Sequence, residues 1–204
     1  ARIEVDYRPQ KKDLNRVRIT VGGNLIEDPY ELTTRTADLT TSKILWNSVI
    51  STPGARFSAA DIKNFYLNTP LDRYEYMRTP LKLIPQTFID QYNLQAKAKN
   101  GYVYIKIQKG MYGLPQAGIL ANKLLKQRLS NEGYHNQPHT PGLFRHEEKD
   151  IYFTLVVDDL GIKYGNHDSI DHLLGVLKKY YDIEIDWKGE LYYGITLDWN
   201  YKQR

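Results

Sequence analysis

The chain has 204 residues, 41% of them hydrophobic and 25% charged, enough for one compact domain or two closely joined subdomains sharing a core. Its net charge of +4 permits contact with a phosphate backbone without demanding it. The absence of cysteine excludes disulfides and thiolate metal ligation, and no apolar run approaches the roughly 20 residues that a membrane span needs. The first dozen residues carry Arg2, Glu4, Asp6, Arg8, Lys11 and Lys12, which is not the pattern of a signal peptide. Because it opens at Ala1 rather than Met, the chain is expected to be a processed product or a piece of something longer. Tyrosine is over-represented, with 17 Tyr against 5 Phe. Its flat face and polar tip suit wet surfaces that hold bases, although composition alone favours a half-buried sheet rich in a good strand former.

Val17 to Val21 alternates as a strand does, and Gly22-Gly23-Asn24 ends it as a turn. Asp38 can cap a helix running to about Ile50, with Leu45, Trp46, Val49 and Ile50 on its apolar side. Ala55 to Ile62 reads as a strand, and a short helix is expected from Asn64. The stretch from Arg73 to Gly110 reads as loop-rich, with one strand at 102–107. Gly118 to Glu132 carries the clearest helical periodicity, closed by Gly133 at the C-terminal cap position. Ile151–Val157 and Leu160–Tyr164 flank Asp158-Asp159 as strands around a tight turn. A helix from Ser169 to Tyr181 and a small hairpin at 191–199 complete the chain. The irregular alternation of strands and helices predicts an α+β fold with an antiparallel sheet.

Nucleotidyl transfer needs two divalent cations held by carboxylates that converge from a rigid scaffold. Asp158-Asp159 alone is weak evidence, since a chain this rich in Asp contains about one such pair by chance. Its apolar flanks, Phe153–Val157 and Leu160–Ile162, say more, because two carboxylates at such a tip repel one another unless a cation neutralises them. A solvated turn fits the segment equally well. Asp61, at the end of a strand-like run, is a third carboxylate able to join the pair. His135, His139 and His146 do not form a metal motif, because Pro138 and Pro141 break any helical register; they read as loop histidines. No phosphate-cradling Gly-rich loop and no Gly-x-Ser-x-Gly elbow occur.

These residues carry a resemblance. Phe57-Ser58-Ala59-Ala60-Asp61-Ile62-Lys63-Asn64-Phe65-Tyr66 resembles the first catalytic motif of reverse transcriptases. Lys109-Gly110-Met111-Tyr112-Gly113-Leu114-Pro115-Gln116-Ala117-Gly118 is similar to their substrate-binding motif, in wording closest to the copia-type LTR retrotransposon branch. Leu155-Val156-Val157-Asp158-Asp159 is similar to the paired-aspartate motif. The three stand in the family's order across about half of the chain.

The resemblance implies the fingers and palm of a right-handed polymerase: fingers at 1–43 and 76–117, palm at 44–75 and 118–204. It implies an RNA-directed DNA polymerase that adds dNTPs to a primed RNA or DNA template with two Mg²⁺ or Mn²⁺ ions. Asp61, Asp158 and the backbone carbonyl of Ile62 would hold the metals, and Asp159 would assist. Tyr66 would sit against the sugar and reject a 2′-hydroxyl, and Gln116 would lie beside the 3′-hydroxyl of the incoming nucleotide. The competing reading of Tyr66 is a core tyrosine, and that of Gln116 an exposed turn after Pro115. The segment from Gln10 to Arg18 resembles the fingers hairpin, with Arg18 over the base and α-phosphate and Lys11 or Lys12 at the γ-phosphate. Gly189–Gly194 resembles the primer-positioning hairpin, where Tyr193 and Gly194 would touch the primer. Val156 departs from the tyrosine many relatives carry two places before the first Asp of the pair. The thumb, RNase H, integrase and protease of such polyproteins are not in the chain, which ends at Arg204. An intracellular location, in a cytoplasmic particle or the nucleus, is expected. A domain that only binds nucleic acid, or an inert copy of a mobile element, stays open as an alternative.

Overall fold

The computed structural model describes residues 2–7, 9, 14–23, 26 and 33–202. In chain order these hold β1 (Arg2–Tyr7), β2 (Asn15–Thr20), α1 (Leu39–Ser51), β3 (Arg56–Ile62), β4 (Pro70–Pro80), α2 (Gln86–Gln91), α3 (Leu94–Lys97) and β5 (Tyr102–Lys109). There follow α4 (Ala117–Ser130), β6 (Tyr134–Asn136), β7 (Leu143–His146), β8 (Ile151–Val156), β9 (Asp159–Tyr164), α5 (His167–Lys178), β10 (Ile183–Asp186), β11 (Leu191–Tyr192) and β12 (Ile195–Thr196). Helices mixed with antiparallel sheets make this an α+β architecture. The chain divides into two compact units, Ala1–Leu32 with Thr69–Leu120 and Thr33–Asn68 with Ala121–Arg204.

The first unit is built on two antiparallel pairs, β1–β2 and β4–β5. Its β2 end is tied to the Tyr112-Gly113 turn, where the Val21 N–H donates to the Tyr112 carbonyl at 2.9 Å. Gly113 has φ +90°, and a Cβ there would collide with the Val21 carbonyl, so only glycine permits this approach.

The second unit holds a six-stranded antiparallel sheet in the order β10-β3-β9-β8-β7-β6. On one face α4 and α5 bury Leu125, Leu129, Ile170, Leu173 and Leu177 against Ile62, Phe153, Leu160 and Ile162. Asn166 caps α5 by accepting from the Ser169 N–H at 2.9 Å, which starts that helix two residues before the expected Ser169. On the other face α1 lays Leu45 and Val49 over Phe57 and Ala59, and Tyr192 of β11 joins them. Asp38 caps α1 as expected, accepting from the Thr41 N–H at 2.7 Å. That bond holds its carboxyl below the usual range.

Three expectations need correction. The stretch from Arg73 to Gly110 is not loop-rich: it contains most of the 11-residue β4, paired with β5, and two short helices. Only Met77 and Thr79 of Glu75–Thr79 are buried, so the strand's outward Tyr and Arg residues hid its period of two. No α-helix follows Asn64; a turn with Asn64 at φ +53° leads into a single 3₁₀ turn at Tyr66–Asn68, whose Asn68 side chain caps the carbonyls of Lys63 and Asn64. His135 and His146 lie on β6 and β7, not in loops. His146 is buried, and its Nδ1 accepts from the N–H groups of Glu148 and Lys149.

Candidate active site

Strand pairing brings the backbone positions of Asp61, Asp158 and Asp159 close together in the second unit. β3 runs antiparallel to β9 with Asp61 directly opposite Asp159. Residues so paired point to one face of a sheet, with Cβ atoms roughly 4.5–5.5 Å apart. Alternation along β3 puts Asp61 on the face of Phe57 and Ala59, the side that carries α1 and Tyr192. Asp158 lies in the two-residue link between β8 and β9, and its carbonyl accepts from the Ile62 N–H at 3.0 Å. That bond fastens the hairpin tip to the end of β3.

The tip is strained. Val157, just before Asp158, has φ +60°, a conformation that a β-branched residue occupies only when the surroundings impose it. Strain of this kind costs on the order of 1–3 kcal/mol and gathers at functional sites. All three aspartates are half-buried, open enough to exchange ligands with solvent.

Sequence reasoning missed Glu184, which faces Asp61 from β10 on the other side. The row Glu184, Asp61, Asp159 thus crosses three adjacent strands. Lys63 stands near Glu184 at 3.8 Å and near Asp182 at 3.7 Å. The Ile-Glu-Ile-Asp alternation of β10 was the available signal. As donors, these hard carboxylate oxygens suit Mg²⁺ or Mn²⁺. Their side chains are not drawn together, however: among the described residues, no three His, Asp or Glu groups form a ready metal cluster.

The β11–β12 hairpin turns through Tyr193 at φ +59° and Gly194 at φ +70°, the two positive values that a tight hairpin turn requires. Its anchor is Tyr192, a residue that sequence reasoning overlooked. The Tyr192 hydroxyl lies 3.0 Å from Thr154 Oγ1, and its ring covers Gly161, where a Cβ would come within 2.7 Å. Thr154 and Gly161 are cross-strand partners two rows along the ladder from Val156 and Asp159, and so on the same face. Burial pushes the Tyr192 phenol up to about 12, with the Asp159 charge adding to the shift. The hairpin is therefore seated on the aspartates' own face of the sheet. Tyr66 is half-buried beside Phe65, ring centres 5.8 Å apart.

Of the nucleotide-binding candidates, Tyr66 belongs to the second unit and Arg18 and Gln116 to the first, while Lys11 and Lys12 lie outside the described residues. Arg18 on β2 sits 3.7 Å from Asp6, with its guanidinium 5.4 Å from the Tyr112 ring centre. With Arg2, Tyr112 and Gly113 it lines a cleft of about 330 Å³. Gln116 is not an exposed turn: it is 7% exposed, and its Nε2 donates to Glu75 Oε1 at 3.2 Å. Arg73 also donates to that oxygen, at 2.9 Å. Glu75 thus orients Gln116, whose Oε1 is buried with no hydrogen-bond partner among the described residues. No helix among the described residues is long and apolar enough to cross a membrane.

A sequence model of the family described as reverse transcriptase (RNA-dependent DNA polymerase) matches residues 39–200. A transposon Ty5-1 protein of Saccharomyces cerevisiae is 26% identical over 139 residues, covering 67% of this chain and 41% of that relative. Among solved structures, the telomerase of Candida albicans in complex with a fragment of telomeric RNA overlaps 78% of this chain and 32% of its own, at 11% identity and a TM-score of 0.42.

Proposed function

The chain belongs to the reverse transcriptase (RNA-dependent DNA polymerase) family, in its copia-type retrotransposon branch, and we propose that it extends a primer with dNTPs on an RNA or DNA template. The observation that carries this reading is the placement of Asp61 opposite Asp159, with Asp158 fastened to Ile62 by a backbone hydrogen bond. In the proposal, the unit with the aspartates is the palm and the other unit the fingers.

Asp61, Asp158 and the Ile62 carbonyl hold two Mg²⁺ or Mn²⁺ ions, and Asp159 assists. When bound, the ions supply charge neutralisation at the reacting phosphate and activation of the primer hydroxyl. The protein's part is positioning. The Ile62–Asp158 backbone bond ties the hairpin tip to the end of the strand that carries Asp61, so the backbone beneath the carboxylates is set before charge develops. Tyr66 stands against the sugar and excludes a 2′-hydroxyl. Arg18 faces the base and α-phosphate, Gln116 the 3′-hydroxyl, and Lys11 or Lys12 the γ-phosphate; Arg suits planar two-point phosphate contact. Tyr193 and Gly194 hold the primer backbone.

Primer extension on an RNA template, with each divalent metal in turn, tests the proposal. Extension that Asp158→Asn abolishes supports it. Binding of primer–template without extension in any metal would leave a domain that only binds nucleic acid.

A further inference from the structure

The β4–β5 pair has two unlike faces. Met77, Thr79, Val103 and Ile107 point inward and are buried. Outward point Tyr76 opposite Lys106, Arg78 opposite Tyr104, and Tyr102 opposite Pro80. Tyr74 joins this outer face, since the Lys106 ammonium sits 3.9 Å from its ring centre. Tyr76 and Tyr104 are each 65% exposed and Tyr74 is 50% exposed, an unusual display of aromatic area. The Arg78 guanidinium lies 3.7 Å from the Tyr102 ring centre.

We propose that this outer face, Tyr74, Tyr76, Arg78, Tyr102, Tyr104 and Lys106, binds an unpaired nucleic-acid strand by stacking bases on the tyrosines and pairing phosphates with the two cations. Tyr74 and Tyr102 each carry a cation over one ring face, so the bases stack first on Tyr76 and Tyr104, which stand diagonally across the strand pair. Only an unpaired strand can offer its base faces, so a duplex is excluded. The cations flank the rings, and none of the six residues is acidic, which favours a polyanion over a protein surface of mixed charge. A cation held over a tyrosine keeps its charge while ordering the ring, so the platform is formed before the strand arrives. The surplus of tyrosine in the composition thus acquires a use.

Binding here does not depend on nucleotidyl transfer, and the test separates the two. Anisotropy of a labelled oligothymidine of about 12 nucleotides is read on the full chain without divalent metal. Wild type and Asp158→Asn should bind equally. Tyr76→Ala with Tyr104→Ala should weaken binding about tenfold or more, whereas the paired Tyr→Phe changes should retain it, because stacking needs the ring and not the hydroxyl. Arg78→Ala with Lys106→Ala should flatten the slope of log affinity against log salt by about 1.4, at about 0.7 per contact for single strands. Melting curves confirm folding, which these exposed positions leave intact. Absence of binding by the wild type, or equal binding by the paired Tyr→Ala variant, would overturn the proposal. So would sedimentation showing that the Tyr→Ala pair dissolves a dimer while leaving oligonucleotide binding unchanged; the face would then belong to a second copy of the chain.

Discussion

Asp61 stands directly opposite Asp159 in the β3–β9 ladder, and like charges so placed oppose each other. Without a divalent ion, Asp61→Asn should therefore leave the melting temperature unchanged or slightly raised, by an effect within about 1 kcal/mol. With Mg²⁺ the order should reverse, because an ion bound to the folded state stabilises only the protein that can hold it. Extension activity should fall by about 10²-fold or more in Asp61→Asn and Asp158→Asn, and by less in Asp159→Asn. Scanning fluorimetry with and without Mg²⁺, alongside extension assays, reads both effects. Full activity in Asp158→Asn sinks the metal assignment.

Gly161→Ala tests the seat of the β11–β12 hairpin. The new methyl meets the Tyr192 ring at 2.7 Å and Thr154 Oγ1 at 3.0 Å, so the ring must move. Overpacking of this kind costs about 1–3 kcal/mol. If the hairpin positions the primer, the KM for primer–template should rise while the KM for dNTP holds. Equal change in both would place the effect in the second unit as a whole.

The Tyr192 phenol, raised to about 12 by burial, keeps its proton in the folded protein at pH values where an unfolded tyrosine loses it. Its contribution is complete below the unfolded pKa near 10 and is lost as pH climbs from about 10 to about 12. Across that window the slope should be about 1.4 kcal/mol of stability per pH unit at most. Urea denaturation at stepped alkaline pH should show a smaller decline in Tyr192→Phe than in the wild type. Parallel declines would show that other tyrosines, such as buried Tyr134, dominate.

Much of this architecture is visible in the residues before any fold is drawn. Asp38 before a periodic run and Gly133 after one marked α1 and α4, and apolar flanks marked the hairpin around Asp158-Asp159. The helix α5 begins earlier than expected because Asn166 caps it, accepting from the Ser169 N–H. The strand β4 was hidden by charge: Arg73, Glu75 and Arg78 satisfy their side chains on the strand surface, which composition alone cannot distinguish from a loop. The anchor formed by Thr154, Gly161 and Tyr192 could not be read either. It exists only because a residue far along the chain returns to lie on a glycine of β9, a tertiary contact with no local pattern.

Tyr66→Val should admit ribonucleotides if its ring occupies the space of a 2′-hydroxyl. Tyr66 is half-buried against Phe65, and its contacts extend to the core beneath α4 and α5, so the substitution should also cost some stability. Paired extension assays with deoxy- and ribonucleotides separate the two effects, because a stability loss lowers both rates alike. A changed ratio supports the sugar-facing role. A constant ratio makes Tyr66 a packing residue.

Arg18→Ala should raise the dNTP KM by about tenfold or more and leave primer–template affinity unchanged. Arg18 lines the 330 Å³ cleft of the first unit, and its guanidinium faces the Tyr112 ring, so a planar cation is held ready for a phosphate. Its Nε is buried without a hydrogen-bond partner among the described residues, a donor that a bound oxygen would satisfy. The ion pair with Asp6, at 3.7 Å and partly exposed, contributes little to stability, so folding should survive the substitution. Arg18→Lys is the sharper probe: it keeps the charge and loses the fork, so KM should recover only in part. A contact to the strand backbone instead would reduce duplex affinity and its salt slope by about 0.9 while sparing the dNTP KM. That pattern would move Arg18 from the nucleotide to the template.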